Sequence, residues 1–363
     1  ERLYFYKRYE FQEGVPAHKS ATCVVIIAKD HGDQGNLVAL KFMANRIQFE
    51  RELDARSSAQ FNCRYVINTI MQYDGDYNRN FREEAVSKDL YIYCLVMPAA
   101  ERNLDDIIAH EHVSNREWEK IAVMGKEITK ALHHMHSKGY VHGDLKPLNV
   151  LRCENRLKIA DLDAAACLNN GEVLGEKYST GYSPPEMIAM VGVCRREVDE
   201  DGKELEICAD GDVDLDMPTE AHVKTFQCDL ETGEPITEGL PYALVEADRS
   251  HDMWSLGATL YELCTGESLF NANDEGNIDQ KQLCCLYEWS DNTKEDKLSK
   301  ITHPAARNLI GRLLTKEPLL RPDASHVLCH PFFSGKKAAR MIGDKALYDV
   351  FLSYREASDS IHA

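Results

Sequence analysis

The sequence predicts an α+β fold in two unequal parts, a small β-rich unit over residues 1–97 and a larger helical one over 98–333. Three observations carry this. Before residue 97, short β-branched and aromatic runs are bounded by Gly, Asp and Asn. From about 103 onward the apolar spacing changes to the 3.6-residue period of a helix. The chain has 363 residues with 44% hydrophobic and 28% charged content, enough to build a full core.

In the first part, Leu3-Tyr4-Phe5-Tyr6, Cys23–Ala28, Leu37–Met43, Tyr65–Tyr73 and Leu90–Met97 read as strands. Between them, Arg46–Ala59 has helical spacing and charge. In the second part, Trp118–His136 places Ile121, Met124, Ile128, Ala131, Leu132 and Met135 on one helical face. Ser250–Gly266, Ala305–Leu314 and Ala324–Cys329 read as further helices.

The charge is unevenly spread. Of a net −18, Glu197–Asp248 contributes −15, with 17 acidic residues against Lys203 and Lys224. A segment at about 193–248 therefore reads as an acidic insertion. Val198–Met217 is expected to be a loosely ordered loop that buries little apolar area. His222–Cys228 followed by Asp229–Glu234 suits a short hairpin. An acidic balance argues against nucleic acid or anionic lipid as partners. No uncharged apolar run approaches the ~18 residues of a membrane helix. The 12 cysteines contain no C-x-x-C pair and read as reduced, core-filling thiols of a cytoplasmic protein. His133, His134, His136 and His142 crowd together, but no acidic or Cys partner has metal-site spacing.

The densest chemical signal is Tyr140-Val-His-Gly-Asp-Leu-Lys-Pro-Leu-Asn-Val-Leu151, followed by Asp161 in Leu157-Lys-Ile-Ala-Asp-Leu-Asp163. Phosphoryl transfer needs a carboxylate to orient a hydroxyl, cations on the γ-phosphate and oxygen ligands for Mg²⁺. Asp144 can be that carboxylate, and Lys146 can reach the phosphate. Asn149 and Asp161 offer hard oxygens suited to Mg²⁺.

These residues resemble the H-R-D-L-K-x-x-N and D-F-G motifs of eukaryotic protein kinases. Val38-Ala-Leu-Lys41 is similar to the strand that carries the phosphate-holding lysine. Ser183-Pro-Pro-Glu186 is similar to A-P-E, and Asp252-Met-Trp-Ser-Leu-Gly257 to D-x-W-S-x-G. The resemblance covers about residues 1–333 and implies a bilobal kinase fold, with Arg321 paired to Glu186. It implies that Lys41 holds the α/β-phosphates of ATP and that a helix glutamate pairs with it. Glu52, in Phe49-Glu-Arg-Glu-Leu53, matches that pattern, with Glu50 second. Val25, Ala39, Met97, Ala100 and Leu151 would line the nucleotide, with Met97 as gatekeeper before the hinge.

The sequence departs from the family in three places. No G-x-G-x-x-G occurs where His18-Lys-Ser-Ala-Thr-Cys23 aligns. Leu162 and Asp163 replace the Phe and Gly of D-F-G. Gly143 replaces the Arg that clamps a phosphorylated activation segment. Glu186 and Asp252 are also much farther apart than in ordinary kinases, which places the insertion just after that segment. At the end, Ala346-Leu-Tyr-Asp-Val-Phe-Leu-Ser-Tyr-Arg355 resembles the opening strand of a TIR domain, after a linker at 334–345. Residues 346–363 read as its truncated start and the chain as part of a longer one.

The resemblance thus implies an ATP- and Mg²⁺-dependent protein kinase acting on Ser/Thr of protein substrates, basic ones included. Lys146 two residues after Asp144 is the Ser/Thr-type feature. TIR-domain partners would bind through the continuation of the chain. The alternative is a pseudokinase scaffold, which the missing glycine loop favours.

Overall fold

The computed structural model describes residues 3–12, 17–20, 23–74, 92–192, 195–198, 204–207, 219–229, 232–273 and 276–334. The TIR-like stretch at 346–363 and all but the first residue of the linker lie outside the described residues.

The first lobe is an antiparallel sheet. Its strands are β1 (Tyr4–Phe5), β2 (Tyr9–Phe11), β3 (His18–Lys19), β4 (Cys23–Asp30) and β5 (Asn36–Met43). After α1 (Arg46–Ala59) come β6 (Met71–Asp74) and β7 (Tyr93–Pro98). The order is β1-β2-β4-β5-β7-β6, with β3 also on β4. The run Cys23-Val-Val-Ile-Ile favours an extended, pleated backbone. It pairs along its whole length, from Cys23 opposite Met43 to Asp30 opposite Asn36. Alternation puts Phe5, Tyr9, Ala28, Val38, Leu40, Phe42, Cys94 and Val96 into one cluster. Cys23, Met43 and Leu95 pack with Phe49 of α1 in another.

Helix α1 starts where Asn45 caps it, accepting hydrogen bonds from the Ile47 and Gln48 amides at 2.8 and 3.3 Å. It ends at Gln60, which is left-handed.

The Tyr65–Tyr73 run is not one strand. Only Met71–Asp74 joins the sheet. The stretch before it pairs with the second lobe instead: Ile67 donates to the Ile159 carbonyl, and Ile159 to that of Tyr65, both at 2.8 Å. Its apolar residues tether the lobes.

The second lobe begins with β8 (Arg102–Asn103), α2 (Leu104–Glu111) and α3 (Trp118–Ser137). Ile121, Ile128, Ala131, Leu132 and Met135 of α3 are buried, and Met124 packs beside them. Then follow β9 (Tyr140–Val141), β10 (Val150–Cys153), β11 (Arg156–Ile159), β12 (Ala166–Cys167) and β13 (Val173–Leu174). The lobe is completed by α4 (Arg249–Thr265), α5 (Gln280–Glu288), α6 (Asp291–Ser299), α7 (Pro304–Leu313) and α8 (Ala324–Leu328). Trp254 of α4 is fully enclosed and is the largest such side chain among the described residues. The two lobes are those of the bilobal kinase fold.

Of the loop expected at Val198–Met217, only Val198 and Glu204–Ile207 are among the described residues; the described remainder of the insertion is not a solvated loop. Strand Ile188–Gly192 pairs over five residues with Thr219–Val223. Val173–Leu174 pairs with Val245–Glu246, and Gln227–Cys228 with Pro235–Ile236 as the expected hairpin. Arg195–Val198 pairs with Glu204–Ile207. Ala221 and Phe226 are buried, Ala221 within the main core of the second lobe. The acidic composition hid these apolar residues, because they are few and widely spaced.

Candidate active site

The site forms between β5, α1 and the loops after β9 and β11. On β5, Lys41 faces inward and is buried. Its Nζ lies 2.7 Å from Glu52 on α1 and also contacts Asp161. Of the two candidate glutamates, Glu52 is therefore the partner; Glu50 is exposed and pairs with Arg46 at 2.7 Å. One turn on, Arg56 donates to the other Glu52 oxygen at 2.6 Å and to the Ile67 carbonyl. Burial alone would lower the Lys41 pKa. The carboxylates of Asp161, Glu52 and Asp163 outweigh it, and the net shift is upward.

His142, Gly143 and Asp144 are fixed from below. Asp252 of α4 accepts from the His142 amide at 2.8 Å, the Gly143 amide at 3.1 Å and His136 Nε2 at 2.8 Å. Burial raises the Asp252 pKa, but the His136 hydrogen bond and the nearby imidazoles of His136, His142 and His251 outweigh it and hold it down to about 2. His142 is buried, with Nε2 donating to the Ala160 carbonyl at 2.9 Å and Nδ1 accepting from the Asp144 amide at 3.2 Å. Gly143 has φ +81°, and a Cβ there would lie 2.3 Å from the Ala164 carbonyl oxygen. Only glycine fits this packing, which is why the usual Arg is missing.

At the loop tip, Lys146 approaches the Asp144 Oδ2 at 3.1 Å and donates to Ser179 Oγ at 2.7 Å. Asn149 donates to the Asp144 carbonyl at 2.8 Å. Asp144 Oδ1 is buried and takes no hydrogen bond from any described residue. A buried carboxylate oxygen without a donor is poised to accept one from outside the chain.

Asp161 adopts φ +63°, whereas Asp163, at the position of the family's glycine, does not need positive φ. A residue that spacing did not single out, Lys177, joins the two. Its Nζ lies 2.8 Å from Asp161 Oδ2 and 2.7–2.8 Å from both Asp163 oxygens. The Asp161 carboxyl is raised by burial and lowered more strongly by Lys177 and Lys41, so it stays well below the usual range. Asp163 is pushed up by burial and by Asp161. The only sequence clue was the extra acid itself, since a buried second carboxylate calls for a second cation.

The donor set suits Mg²⁺. Asn149 and Asp161 carry hard oxygens on adjacent loops, and Asn149 has its nitrogen committed to Asp144, leaving its oxygen to offer a cation. Among the described residues no three His, Cys, Asp or Glu side chains converge as a closed metal site. Such a site would draw its other ligands from phosphate and water.

The residues expected to line the nucleotide come together in part. Met97, Ala100 and Leu151 pack in one cluster with Ile67, Cys153 and Ala160. Ala39 pairs across the sheet with Met97, and Val25 stands opposite Lys41. Glu186 and Arg321 form a two-pronged ion pair at 2.6 and 2.7 Å. No described helix is long and apolar enough to cross a membrane.

Comparison with known proteins agrees with this geometry. The family model described as "Protein kinase domain" matches residues 20–200 and 242–333. The chain is 26% identical over 253 residues to MAP kinase-interacting serine/threonine-protein kinase 1 of Xenopus tropicalis, covering 65% of this chain and 50% of that one. It is 26% identical over 215 residues to 3-phosphoinositide-dependent protein kinase 1 of Arabidopsis thaliana, 58% and 33%. It is 27% identical over 247 residues to myosin light chain kinase family member 4 of Mus musculus, 67% and 48%. The chain spans half or less of the length of these relatives.

Proposed function

This chain belongs to the protein kinase family, and we propose that it transfers the γ-phosphate of ATP to Ser or Thr hydroxyls of protein substrates. The observation that carries this reading is the buried, undonated Asp144 Oδ1 beside Lys146, in a structure where Lys41 and Glu52 are already paired.

In this reading Asp144 accepts the hydrogen of the incoming hydroxyl and aims its oxygen at phosphorus. As the new O–P bond forms, the bond to the ADP oxygen breaks and the hydroxyl proton passes to solvent or phosphate by way of Asp144. Lys146 offsets charge on the transferring group from the near side. Lys41, held by Glu52, orients the α/β-phosphates. Asn149 and Asp161 would hold Mg²⁺, which neutralises phosphate charge when bound. The apolar cluster of Met97, Ala100 and Leu151 excludes water from the base. The TIR-like Ala346–Arg355 would place this activity in a signalling protein with TIR-domain partners.

The test is phosphate incorporation into a generic Ser/Thr protein substrate with Mg·ATP, beside a thermal-shift titration with nucleotide. Wild type should transfer phosphate. Asp144→Asn should lose at least about a hundredfold in rate, the scale of a general-base contribution, while keeping the nucleotide-induced shift. Lys41→Met should lose both. Transfer by Asp144→Asn at the wild-type rate would overturn the assignment. A nucleotide shift without transfer by wild type would leave the pseudokinase reading, which the Lys177 contact with Asp161 favours.

A further inference from the structure

Four residues after β13, Gly175, Glu176, Lys177 and Ser179, tie the activation segment to separate parts of the molecule. Thr225 of the insertion donates to the Gly175 carbonyl at 2.6 Å. Gly175 has φ +121°, and a Cβ there would meet the Lys224 carbonyl oxygen at 2.3 Å. Glu176 forms an ion pair with Arg51 of α1, while Arg51 also lies 3.8 Å from Cys228 Sγ of the insertion hairpin. Lys177 holds Asp161 and Asp163. Ser179 is held by Lys146.

The same segment is gripped at both ends by the insertion, through Val173–Leu174 with Val245–Glu246 and Ile188–Gly192 with Thr219–Val223. Tyr242 accepts from the Thr225 amide at 3.3 Å and donates to its carbonyl at 3.2 Å, bracing the strap. The serine and threonine hydroxyls of the segment at 179 and 180 are buried. Ser179 and Thr180 are 1% and 2% exposed, and Thr180 Oγ1 accepts from the Ile278 amide at 2.8 Å. The Arg that would receive a phosphate is Gly143, where no side chain fits.

We propose that residues 219–229 and 232–246 are a built-in clamp that holds the activation segment on α1, with Arg51 as a positioning residue that keeps Glu52 on Lys41 without phosphorylation. Arg51 and Glu52 are neighbours on one helix. The first fixes the helix to Glu176, and the second reaches the lysine. Glu176 supplies the anion, covalently in place, that a phosphate supplies elsewhere. The inference rests on the kinase reading for its purpose but not for its structural content.

The experiment uses the full chain, with hydrogen exchange as the main readout and steady-state kinetics beside it. Arg51→Gln and Glu176→Gln should each speed amide exchange across 46–59 and 173–179 by at least about tenfold, the opening shift that loss of a charge-assisted hydrogen bond produces. They should lower kcat more than they raise KM for peptide. The double reversal R51E/E176R should restore both, which a general loss of stability would not. Thr225→Val should speed exchange at 173–179 in a protein that keeps its core. Phosphatase treatment of wild type should change neither exchange nor rate. Wild-type exchange in the single variants, or a failure of the double reversal to restore it, would overturn the clamp, as would loosening of 173–179 after phosphatase. If no form transfers phosphate yet the exchange pattern holds, the kinase reading falls and the clamp stands.

Discussion

At the base of the cleft, Glu52, Asp161 and Asp163 meet Lys41, Arg56 and Lys177, three anions against three cations. Burying so many charges is tolerable only because each has a partner, and removing one member strands another. Lys177 is the informative one, because it sits on the carboxylate expected to hold metal. Lys177→Met should destabilise the fold by about 3–5 kcal/mol, leaving Asp161 and Asp163 short of positive charge. A divalent cation can then supply what the ammonium did. Without nucleotide, millimolar Mg²⁺ should raise the melting temperature of Lys177→Met clearly more than that of wild type. Equal shifts in the two proteins would show that Lys177 does not compete for the metal position.

Among the elements, α4 organises the loop after β9 through one side chain. Asp252 holds the amides of His142 and Gly143 and the ring of His136. Its pKa is about 2 in the fold against 3.8 for an ordinary aspartate. The depressed value means its contribution is full above about pH 4 and is lost as pH falls toward 2. That contribution is about 2 kcal/mol at neutral pH. Asp252→Asn should melt lower than wild type at pH 7 yet lose less stability between pH 4 and 2. Parallel melting curves over that window would remove Asp252 from the account. Much of this element level was legible in the sequence. Helix α1 could be bounded because Arg46–Ala59 has helical spacing and charge; the structure adds the Asn45 cap at its start. Helix α6 could not: Asp291-Asn-Thr-Lys-Glu-Asp-Lys has no apolar stripe, and Leu298 alone is buried. Its one signal was the cap, Ser290, which accepts from the Thr293 amide at 3.2 Å. For the candidate site, Asp144, Lys146, Asn149 and Asp161 could be singled out from spacing, because they lie close in sequence on two loops. Lys177 and the Arg51–Glu176 pair were not, since they meet only through tertiary folding.

Over the whole molecule, charge is segregated: −15 of the net −18 belongs to 197–248. The packed half of that segment is part of the second lobe, so it cannot be excised as a passive loop. Removing 198–237 would unpair β-strand Ile188–Gly192 and take away the buried Phe226 and Ala221. Five of its described carboxylates nevertheless face solvent. Glu220, Glu234, Glu238, Glu246 and Asp248 are all exposed, and the pairing of Val245–Glu246 with Val173–Leu174 sets Glu246 beside the segment that follows β13. Exposed charges of one sign act on encounter more than on bound-state affinity, and salt weakens them. A Lys/Arg-rich peptide should therefore show a higher kcat/KM than an acidic peptide of equal length at low ionic strength. At ~0.5 M salt the screening length falls to about half its ~8 Å physiological value, so the gap should largely close, through KM rather than kcat. Replacing the five exposed carboxylates by amides should close it at low salt as well, without touching a buried contact. Equal rates for both peptides at low salt, or a preference that salt leaves intact, would show that the acidic surface does not steer substrate.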